Sequence, residues 1–265
     1  MKNKKIVILD LDNTLYDWND AYSTSFMSLV KYHQKIFTMS ECAIIHNFKE
    51  YFKSRGTLEL LPTLEYIQLY GKSNLNELDL NNIADKSCEF FLKAWKENIN
   101  LYFDVHETLK ILKSNGVRIM AFSDASMFWA TYRLKCLKIL RFFDRVYAPI
   151  DNIKLPDYVE NNPEKYRVIN DQQRKPNSTI IKEIINSYKA SCKDTFMIGD
   201  NLSKDIKCAS EAGITSIWAQ YGTEHHSSSG EILRSITPWE KANTLCLTLP
   251  DYTIDSFSKI LKVVL

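Results

Sequence analysis

A short apolar run near the start of the chain ends in two carboxylates. The run from Ile6 to Leu9 has the length and composition of a fully buried strand. Asp10 and Asp12 follow it, separated by a single residue. Carboxylates beside a core must be desolvated, so a strand that ends in two of them has a use for both. The sequence therefore indicates a fixed site for a nucleophilic oxygen and a metal ion, with a second carboxylate close enough to move protons.

The rest of the chain alternates strands with helices after an early helical interruption. Further strand patterns occur at residues 117–122, 195–198 and 214–219. From about Trp18 to Asn100 the apolar residues recur at helical spacing and no strand pattern intervenes. We therefore predict an α/β fold with two domains. A Rossmann-like parallel sheet core takes residues 1–17 and 101–265, and a helical cap domain takes residues 18–100.

Two segments fit this alternation less well. Residues from Ile150 to Gln173 are polar, contain two prolines and show no clear period, which predicts an ordered excursion or a flexible loop. The stretch from His225 to Gly230 resembles a surface loop, and its two histidines lack the convergent partners of a metal site.

Composition excludes several kinds of partner. The chain has 34 Lys and Arg against 32 Asp and Glu, a net charge of +2, so no nucleic acid polymer is expected to bind. Its six cysteines include no CxxC pair, which is typical of reduced thiols in a cytoplasmic protein. Asp10 and Asp12 interrupt the N-terminal apolar run before it is long enough for a membrane segment. We expect a cytoplasmic protein with no membrane partner.

Polar side chains gather where the predicted strands end. They are Asp10, Asp12 and Thr14 after the first strand, Ser123 and Asp124 after the second, Lys175 before a helix, and Asp200 and Asp205 after a later strand. Ligands of a parallel sheet bind beyond the carboxyl ends of its strands, so these clusters should converge. Together they supply a nucleophile, a proton shuttle, a cation and metal ligands, as phosphoryl transfer requires. Each cluster alone is commonly a turn, a helix cap or an exposed charge, and only their joint order favours a site.

These motifs resemble those of the haloacid dehalogenase superfamily, in its phosphatase-like branch with a helical cap inserted after the first motif. The resemblance spans nearly the whole chain. Its four motifs are Asp10-Leu-Asp12-Asn-Thr14-Leu, Phe-Ser123-Asp124, Arg-Lys175-Pro and Ile-Gly-Asp200-Asn-Leu-Ser-Lys-Asp205-Ile.

The resemblance implies a role for each matching residue. Asp10 would attack phosphorus and form an aspartyl-phosphate, and Asp12 would be the general acid and base. Thr14 would steady their loop. Ser123, with the neighbouring backbone at Asp124, would bind phosphate oxygens.

The resemblance also implies a cation and a metal site. Lys175 would stabilise the charge on the nucleophile and the phosphoryl group, and Lys154 is a weaker competitor for that place. Mg²⁺ would be bound by Asp10, by the backbone carbonyl of Asp12 and by Asp200. Asp205 would bind the ion or orient its ligands.

The leading hypothesis is thus a magnesium-dependent phosphomonoester hydrolase of a small phosphorylated metabolite. A phosphomutase, a phosphonatase, a dehalogenase and a catalytically silent binding module are the alternatives, and Asp12 argues against the dehalogenase. Arg55 to Thr57, between cap helices, is the candidate specificity loop, with Trp18 and Asn19 as further candidates.

Overall fold

The chain divides into two compact units, which we describe separately. The computed structural model describes residues 5–62, 66–67, 77–150, 157–223, 227–237 and 248–265. The first unit comprises Met1–Asp17, Asn100–Glu224 and Thr244–Leu265. The second comprises Trp18–Ile99 and His225–Asn243.

The regular elements of the described residues are as follows. The strands are β1 (Ile6–Leu9), β2 (Arg118–Phe122), β3 (Arg145–Pro149), β4 (Tyr166–Ile169), β5 (Thr195–Gly199), β6 (Thr215–Ala219) and β7 (Tyr252–Ile254). The helices are α1 (Trp18–Phe37), α2 (Glu41–Arg55), α3 (Glu77–Asn98), α4 (Val105–Ser114), α5 (Met127–Cys136), α6 (Asp157–Glu160), α7 (Thr179–Tyr188), α8 (Lys207–Ala212), α9 (Ser227–Ile236) and α10 (Ile260–Val264). Across these ranges, no helix combines the length and apolarity that a membrane span requires.

The first unit is built on a parallel sheet with β1 at its centre. The strand order is β4-β3-β2-β1-β5-β6-β7, and every pairing is parallel. All four residues of β1 are fully buried, as the apolar run predicts, because neighbouring strands and covering helices enclose it. The predicted α/β fold with a parallel sheet is confirmed. Since the strands run in one direction, the residues after β1, β2 and β5 meet at one edge.

The segment predicted as an excursion or loop contains regular structure instead. Residues 157–160 form α6, and Tyr166–Ile169 form β4 at the sheet edge beside β3. The prediction was wrong here because β4 carries Arg167, which breaks the apolar pattern of a buried strand. Its guanidinium forms an ion pair with Glu183 of α7, with Nε 3.1 Å from Oε1. An edge strand can carry such a residue because one side of it lacks a neighbouring strand.

One face of the sheet packs on α7 and α8. Ile180, Ile181 and Ile184 of α7 are fully buried against Ile6 and Ile8 of β1 and their neighbours. Their spacing along α7 places them on one side of the helix, which explains how it covers the sheet. This packing fixes the strand ends that carry the polar residues.

The second unit is helical and has an aromatic core. Tyr22 and Phe26 of α1, Phe48 of α2 and Trp95 of α3 are buried and contact one another through their rings. The helix α2 begins after Ser40, whose hydroxyl accepts from the N–H of Ala43, and ends at Gly56 with a φ of 69°.

The second unit also takes a segment from late in the chain. The helix α9 packs against α1 and α2, and Ser229 donates its hydroxyl to Asp20 Oδ1 at 2.9 Å. The sequence pattern predicts that this segment belongs to the core and that residues 227–230 form a loop, whereas they begin α9. The run of small polar residues from Ser227 to Gly230 hides the helix start, because serine and glycine are weak helix formers. His225 and His226 lie outside the described residues.

Candidate active site

A lysine and two aspartates form a buried charge cluster at the carboxyl edge of the sheet. Asp10 follows β1 directly, and its backbone N–H donates to the carbonyl of Ile198 in β5 at 2.9 Å. Lys175 Nζ donates to Asp10 Oδ1 at 2.5 Å and to Asp205 Oδ1 at 2.7 Å. The exposed fractions of Asp10, Lys175 and Asp205 are only 6%, 7% and 1%. The lysine therefore bridges two carboxylates that are shielded from bulk water.

The cluster holds more negative than positive charge, which shifts the pKa of each member. Burial, followed by the charges of Asp10 and Asp205, raises the pKa of Asp200 well above its ordinary value. Burial also raises the pKa of Asp10 and brings the pKa of Asp205 to about 6, although Lys175 opposes both shifts. Burial acts to lower the pKa of Lys175, but the charges of Asp10, Asp205 and Asp124 outweigh it and raise that pKa. An additional cation would stabilise such crowded carboxylates.

The carboxylates form a donor set that suits a hard divalent cation. Asp10, Asp200 and Asp205 each offer one oxygen, and these atoms lie within 4.8 Å of one another. Carboxylate oxygens are preferred ligands of Mg²⁺ in proteins. The oxygens of Asp205 already accept from Lys175 and from the backbone N–H of Asn201 at 3.1 Å. This arrangement fits direct ligation by Asp10 and Asp200 and an orienting role for Asp205.

The turn after β5 brings Asp205 against the sheet. Asn201 caps a π-helical turn, Leu202–Ile206, by accepting from the N–H groups of Ser203 and Lys204 at 3.0 and 3.1 Å. Gly199, the last residue of β5, allows the close approach, since a Cβ there would lie 2.2 Å from Asp205 Cγ. Glycine at this position therefore sets the place of Asp205.

Asp12 has a different set of partners from Asp10. Its Oδ1 and Oδ2 both accept from Arg133 Nη1 at 2.9 Å, and its Oδ1 also accepts from the hydroxyl of Tyr16 at 2.6 Å. Arg133 lies on α5, and its side chain is only 1% exposed. The carboxylate of Asp12 is thus engaged by side chains, which leaves its backbone carbonyl as the group suited to a metal ion.

Thr14 supports the loop between these two aspartates. It is fully buried, and its hydroxyl donates to Asp10 Oδ2 at 3.3 Å. The hydroxyl of Tyr221 donates to the backbone carbonyl of Thr14 at 2.6 Å. Gly222 packs so closely on the loop that a Cβ would lie 1.8 Å from the carbonyl oxygen of Asn13. Side chain and backbone contacts together fix the loop that follows β1.

Ser123 and Asp124 follow β2 and face different partners. Ser123 is buried, and its Oγ accepts from the N–H of Ala125 at 3.1 Å. Asp124 accepts from the backbone N–H of Lys175 at 3.2 Å and from Lys204 Nζ at 2.8 Å. Burial acts to raise the pKa of Asp124, but Lys175 and Lys204 outweigh it and lower that pKa. The carboxylate of Asp124 therefore anchors the segment that carries Lys175.

These residues surround a small cavity in the first unit. It has a volume of about 190 Å³. The residues predicted from the sequence that line it are Asp10, Asp12, Ser123, Asp124, Lys175, Asp200 and Asp205. Thr14 does not line the cavity but contacts Asp10 through its hydroxyl. Lys154 lies outside the described residues. The predicted convergence at one sheet edge is what the structure shows.

Three further residues of the site, Arg133, Tyr16 and Lys204, are not predicted by the sequence patterns. Arg133 is 121 residues from Asp12 along the chain, and its neighbours on α5 gave no sign that it is buried. Tyr16 was hidden among the apolar residues after the first motif, and Lys204 looked like an ordinary exposed lysine. Arg55, proposed for substrate selection, ends α2 in the second unit, with its guanidinium 5.9 Å from the ring centroid of Tyr51.

Comparison with known proteins identifies the family. A family model described as haloacid dehalogenase-like hydrolase matches residues 4–213. Pyrophosphatase PpaX from Bacillus mycoides (strain KBAB4) is 22% identical over 264 residues, which cover 97% of this chain and 95% of that protein.

Solved structures share the fold across both units. The 2-haloacid dehalogenase from Pseudomonas syringae pv. Tomato DC3000 matches with a TM-score of 0.61 at 16% identity and covers 98% of each chain. The HAD phosphatase from Thermococcus onnurineus matches with a TM-score of 0.58 at 17% identity and covers 98% of this chain and 97% of its own. At such identities the likeness establishes the fold only, and the reaction must be inferred from the residues of the site.

Proposed function

Since this chain belongs to the haloacid dehalogenase-like hydrolases, we propose that it is a magnesium-dependent phosphomonoester hydrolase of a small phosphorylated metabolite. The observation that carries the proposal is the carboxylate pair of Asp10 and Asp12 at one strand end, each with its own cation. Lys175 holds Asp10, and Arg133 holds Asp12. Two carboxylates with separate partners can perform two different tasks in one reaction.

Asp10 is proposed as the nucleophile. One carboxylate oxygen attacks phosphorus, the bond to the leaving oxygen breaks, and an aspartyl-phosphate forms. Lys175 and Thr14 fix the two oxygens of this carboxylate, so its orientation is set before substrate binds. The positive charge of Lys175 also stabilises the negative charge that develops on the phosphoryl oxygens.

Asp12 is proposed as the proton carrier. It gives a proton to the leaving oxygen in the first step, and in the second step it takes a proton from the water that attacks phosphorus. Water adds its oxygen to the phosphoryl group, the bond to Asp10 breaks, and inorganic phosphate leaves. Asp12 lines the same cavity as Asp10, which is the arrangement these steps require.

Asp10, Asp200 and the backbone carbonyl of Asp12 would hold Mg²⁺, and Asp205 would orient the set. A bound divalent cation neutralises the oxygens of the phosphoryl group. Ser123 lines the cavity together with these acids and is proposed to donate its hydroxyl to a phosphoryl oxygen. Asp124, through its bonds to Lys175 and Lys204, keeps that side of the cavity in place.

The second unit is proposed as a cap that selects the substrate, with Arg55 as a candidate contact. Its helical composition and its insertion directly after the catalytic loop favour this role. We also propose a cytoplasmic location. The cysteines within the described ranges, Cys42, Cys88, Cys136, Cys192 and Cys208, are free thiols, as in a reducing compartment.

Asp12 distinguishes phosphoryl transfer from dehalogenation. A halide leaves as a stable anion and needs no proton, whereas an alkoxide leaving group does. A carboxylate that lines the cavity two residues after the nucleophile is therefore an argument for an ester substrate. A phosphomutase or phosphonatase would share this core, and a silent binding module would need none of the buried ion pairs at Asp10 and Asp12.

The test is hydrolysis of p-nitrophenyl phosphate and a panel of sugar phosphates, nucleotides, phosphoglycolate and inorganic pyrophosphate, with Mg²⁺ or with EDTA. We expect turnover with Mg²⁺ only. Asp10→Asn should abolish it, because the amide is a poor nucleophile, and mass spectrometry of the quenched wild-type enzyme should place phosphate on Asp10. Asp255→Asn, the same change at an exposed residue, is the matched control. Full activity in EDTA, or phosphate trapped on another residue, would contradict the proposal.

A further inference from the structure

The contacts of Asp12 point to a positioning residue for the proton-transfer steps. We propose that Arg133 fixes the orientation of the Asp12 carboxylate, and that Tyr16 supports it with a second hydrogen bond. The inference rests on the proposed function, since it assigns a role within the same reaction. Arg133 does not line the cavity described above and is argued to act only through Asp12.

The hydrogen bonds define the orientation of the carboxylate. Arg133 Nη1 lies 2.9 Å from both oxygens of Asp12, and the hydroxyl of Tyr16 lies 2.6 Å from Oδ1. A carboxylate bound by two donors on separate elements cannot turn about its side-chain bonds without breaking at least one contact. One donor comes from α5 and the other from the loop after β1, so the position of Asp12 depends on both.

The position of Arg133 itself is set by packing. Its side chain is 1% exposed, and its guanidinium carbon lies 5.3 Å from the ring centroid of Trp129, one turn earlier on α5. A buried guanidinium is costly to desolvate and is retained in proteins where its charge is paired. Asp12 is more open than Arg133, with 24% of its side chain exposed. The buried arginine thus holds a carboxylate whose other side faces the cavity.

Such an arrangement predicts a particular kinetic signature. Proton donation to the leaving oxygen requires Asp12 within hydrogen-bond reach and correctly oriented. Without Arg133 the carboxylate samples other orientations, so kcat falls while the binding of substrate through the phosphoryl group is retained. The loss should be larger for an alkyl phosphate than for p-nitrophenyl phosphate, because nitrophenolate leaves readily without a proton.

The experiment compares Arg133→Met, Arg133→Lys and Tyr16→Phe with the wild type on ethyl phosphate and p-nitrophenyl phosphate, with Mg²⁺ present. Arg133→Met and Asp12→Asn are also combined in one chain. Arg167→Met, which removes the ion pair with Glu183 in the same unit, is the matched control and should retain wild-type rates. Thermal unfolding of every variant reports whether it is folded.

For Arg133→Met we expect kcat/KM, which reports the step in which the leaving oxygen departs, to fall about 100-fold on ethyl phosphate and less than about 10-fold on the nitrophenyl ester. Arg133→Lys should recover part of the loss, because it restores a cation. In the Asp12→Asn background the arginine substitution should cost nothing more, since the group through which it acts is already gone.

Three results would overturn the inference. They are equal losses of kcat/KM on both esters, an undiminished cost of Arg133→Met in the Asp12→Asn background, and wild-type kcat and kcat/KM in a folded Arg133→Met. If Arg133→Met does not fold, Tyr16→Phe and Arg133→Lys decide the question by the same ester comparison. Absence of turnover by the wild-type enzyme would overturn the proposed function and this inference with it, whereas an unaffected arginine variant of an active enzyme would overturn this inference alone.

Discussion

Gly199→Ala tests how closely the turn after β5 must approach the sheet. Gly199 has no positive φ, so alanine is compatible with its backbone, and the expected cost is purely steric. The added Cβ would lie 2.2 Å from Asp205 Cγ and 2.5 Å from Asp205 Cβ. Carbon atoms in contact lie about 3.5–4.0 Å apart. Asp205 must therefore retreat by about 1.3 Å to reach the lower end of that range.

That retreat would break the contacts that hold Asp205. Its oxygens lie 2.7 Å from Lys175 Nζ and 3.1 Å from the backbone nitrogen of Asn201, and a retreat of this size takes both beyond hydrogen-bond distance. Hydrogen bonds to charged groups contribute about 1.5–3 kcal/mol each. We therefore expect Gly199→Ala to lower the free energy of unfolding by about 3–6 kcal/mol, a large part of the roughly 5–15 kcal/mol typical of a domain.

Urea unfolding in EDTA measures this change without a contribution from bound metal. Gly116→Ala is the matched control, because Gly116 has a φ of +74° and an added Cβ there would meet no atom within 4 Å. Its cost should come from the backbone alone, about 1–2 kcal/mol. In an Asp205→Gly background, where the clashing side chain is absent, Gly199→Ala should cost less than about 1 kcal/mol. A loss at Gly199 equal to that at Gly116, or unchanged in the Asp205→Gly background, would refute the steric explanation.

Two predictions concern titration. The folded-state pKa of Asp205, about 6 against an ordinary 3.8, means that the contribution of Asp205 to the stability of the metal-free protein is lost as pH rises from 3.8 through 6. We expect Mg²⁺ to bind the ionised cluster, so the rise in melting temperature on adding Mg²⁺ should be larger at pH 7.5 than at pH 5; equal rises would contradict the metal assignment. Burial lowers the pKa of His33 from 6.5 to about 4, so the unfolded chain is protonated first, and the contribution of His33 to stability should fall by about 2 kcal/mol between pH 7 and pH 5. The free energy of unfolding in urea, measured at pH 7 and at pH 5, should fall by about this much more in the wild type than in His33→Gln. The same pH dependence in both proteins would exclude His33 as the source.

The sequence could predict the centre of the fold because that centre has one dominant pattern. The strands β1, β2, β5 and β6 are apolar runs, and the residues after three of them carry the acids and the serine of the site. It could not predict β3, β4 or β7. Strand β3 has only three apolar residues before Pro149, a residue type that argues against a strand, and β4 contains Arg167. Strand β7 has two exposed residues of three, so none of these strands shows a long apolar run. These strands are specified by pairing with neighbours rather than by their own composition.

The same limit applies to the site. Asp10, Lys175 and Asp200 could be predicted because they follow strand ends or match a motif. Arg133 could not, because an arginine on a helix is normally exposed and its burial here depends on Asp12, a residue far away in sequence. Likewise, the anchoring role of Asp124 emerges only when Lys204 and the Lys175 backbone are seen to bind it.

The acids of the site differ in the cations with which they pair. Lys175 pairs with both Asp10 and Asp205, Arg133 pairs with Asp12, and Lys204 pairs with Asp124. Within the part of the chain that the structure describes, no lysine or arginine forms an ion pair with Asp200, although burial and neighbouring acids raise its pKa strongly. A buried carboxylate without its own cation is costly to ionise. Mg²⁺ would remove that cost at Asp200 and leave the other pairs intact, so the same cation that assists phosphoryl transfer would also complete the charge balance of the fold.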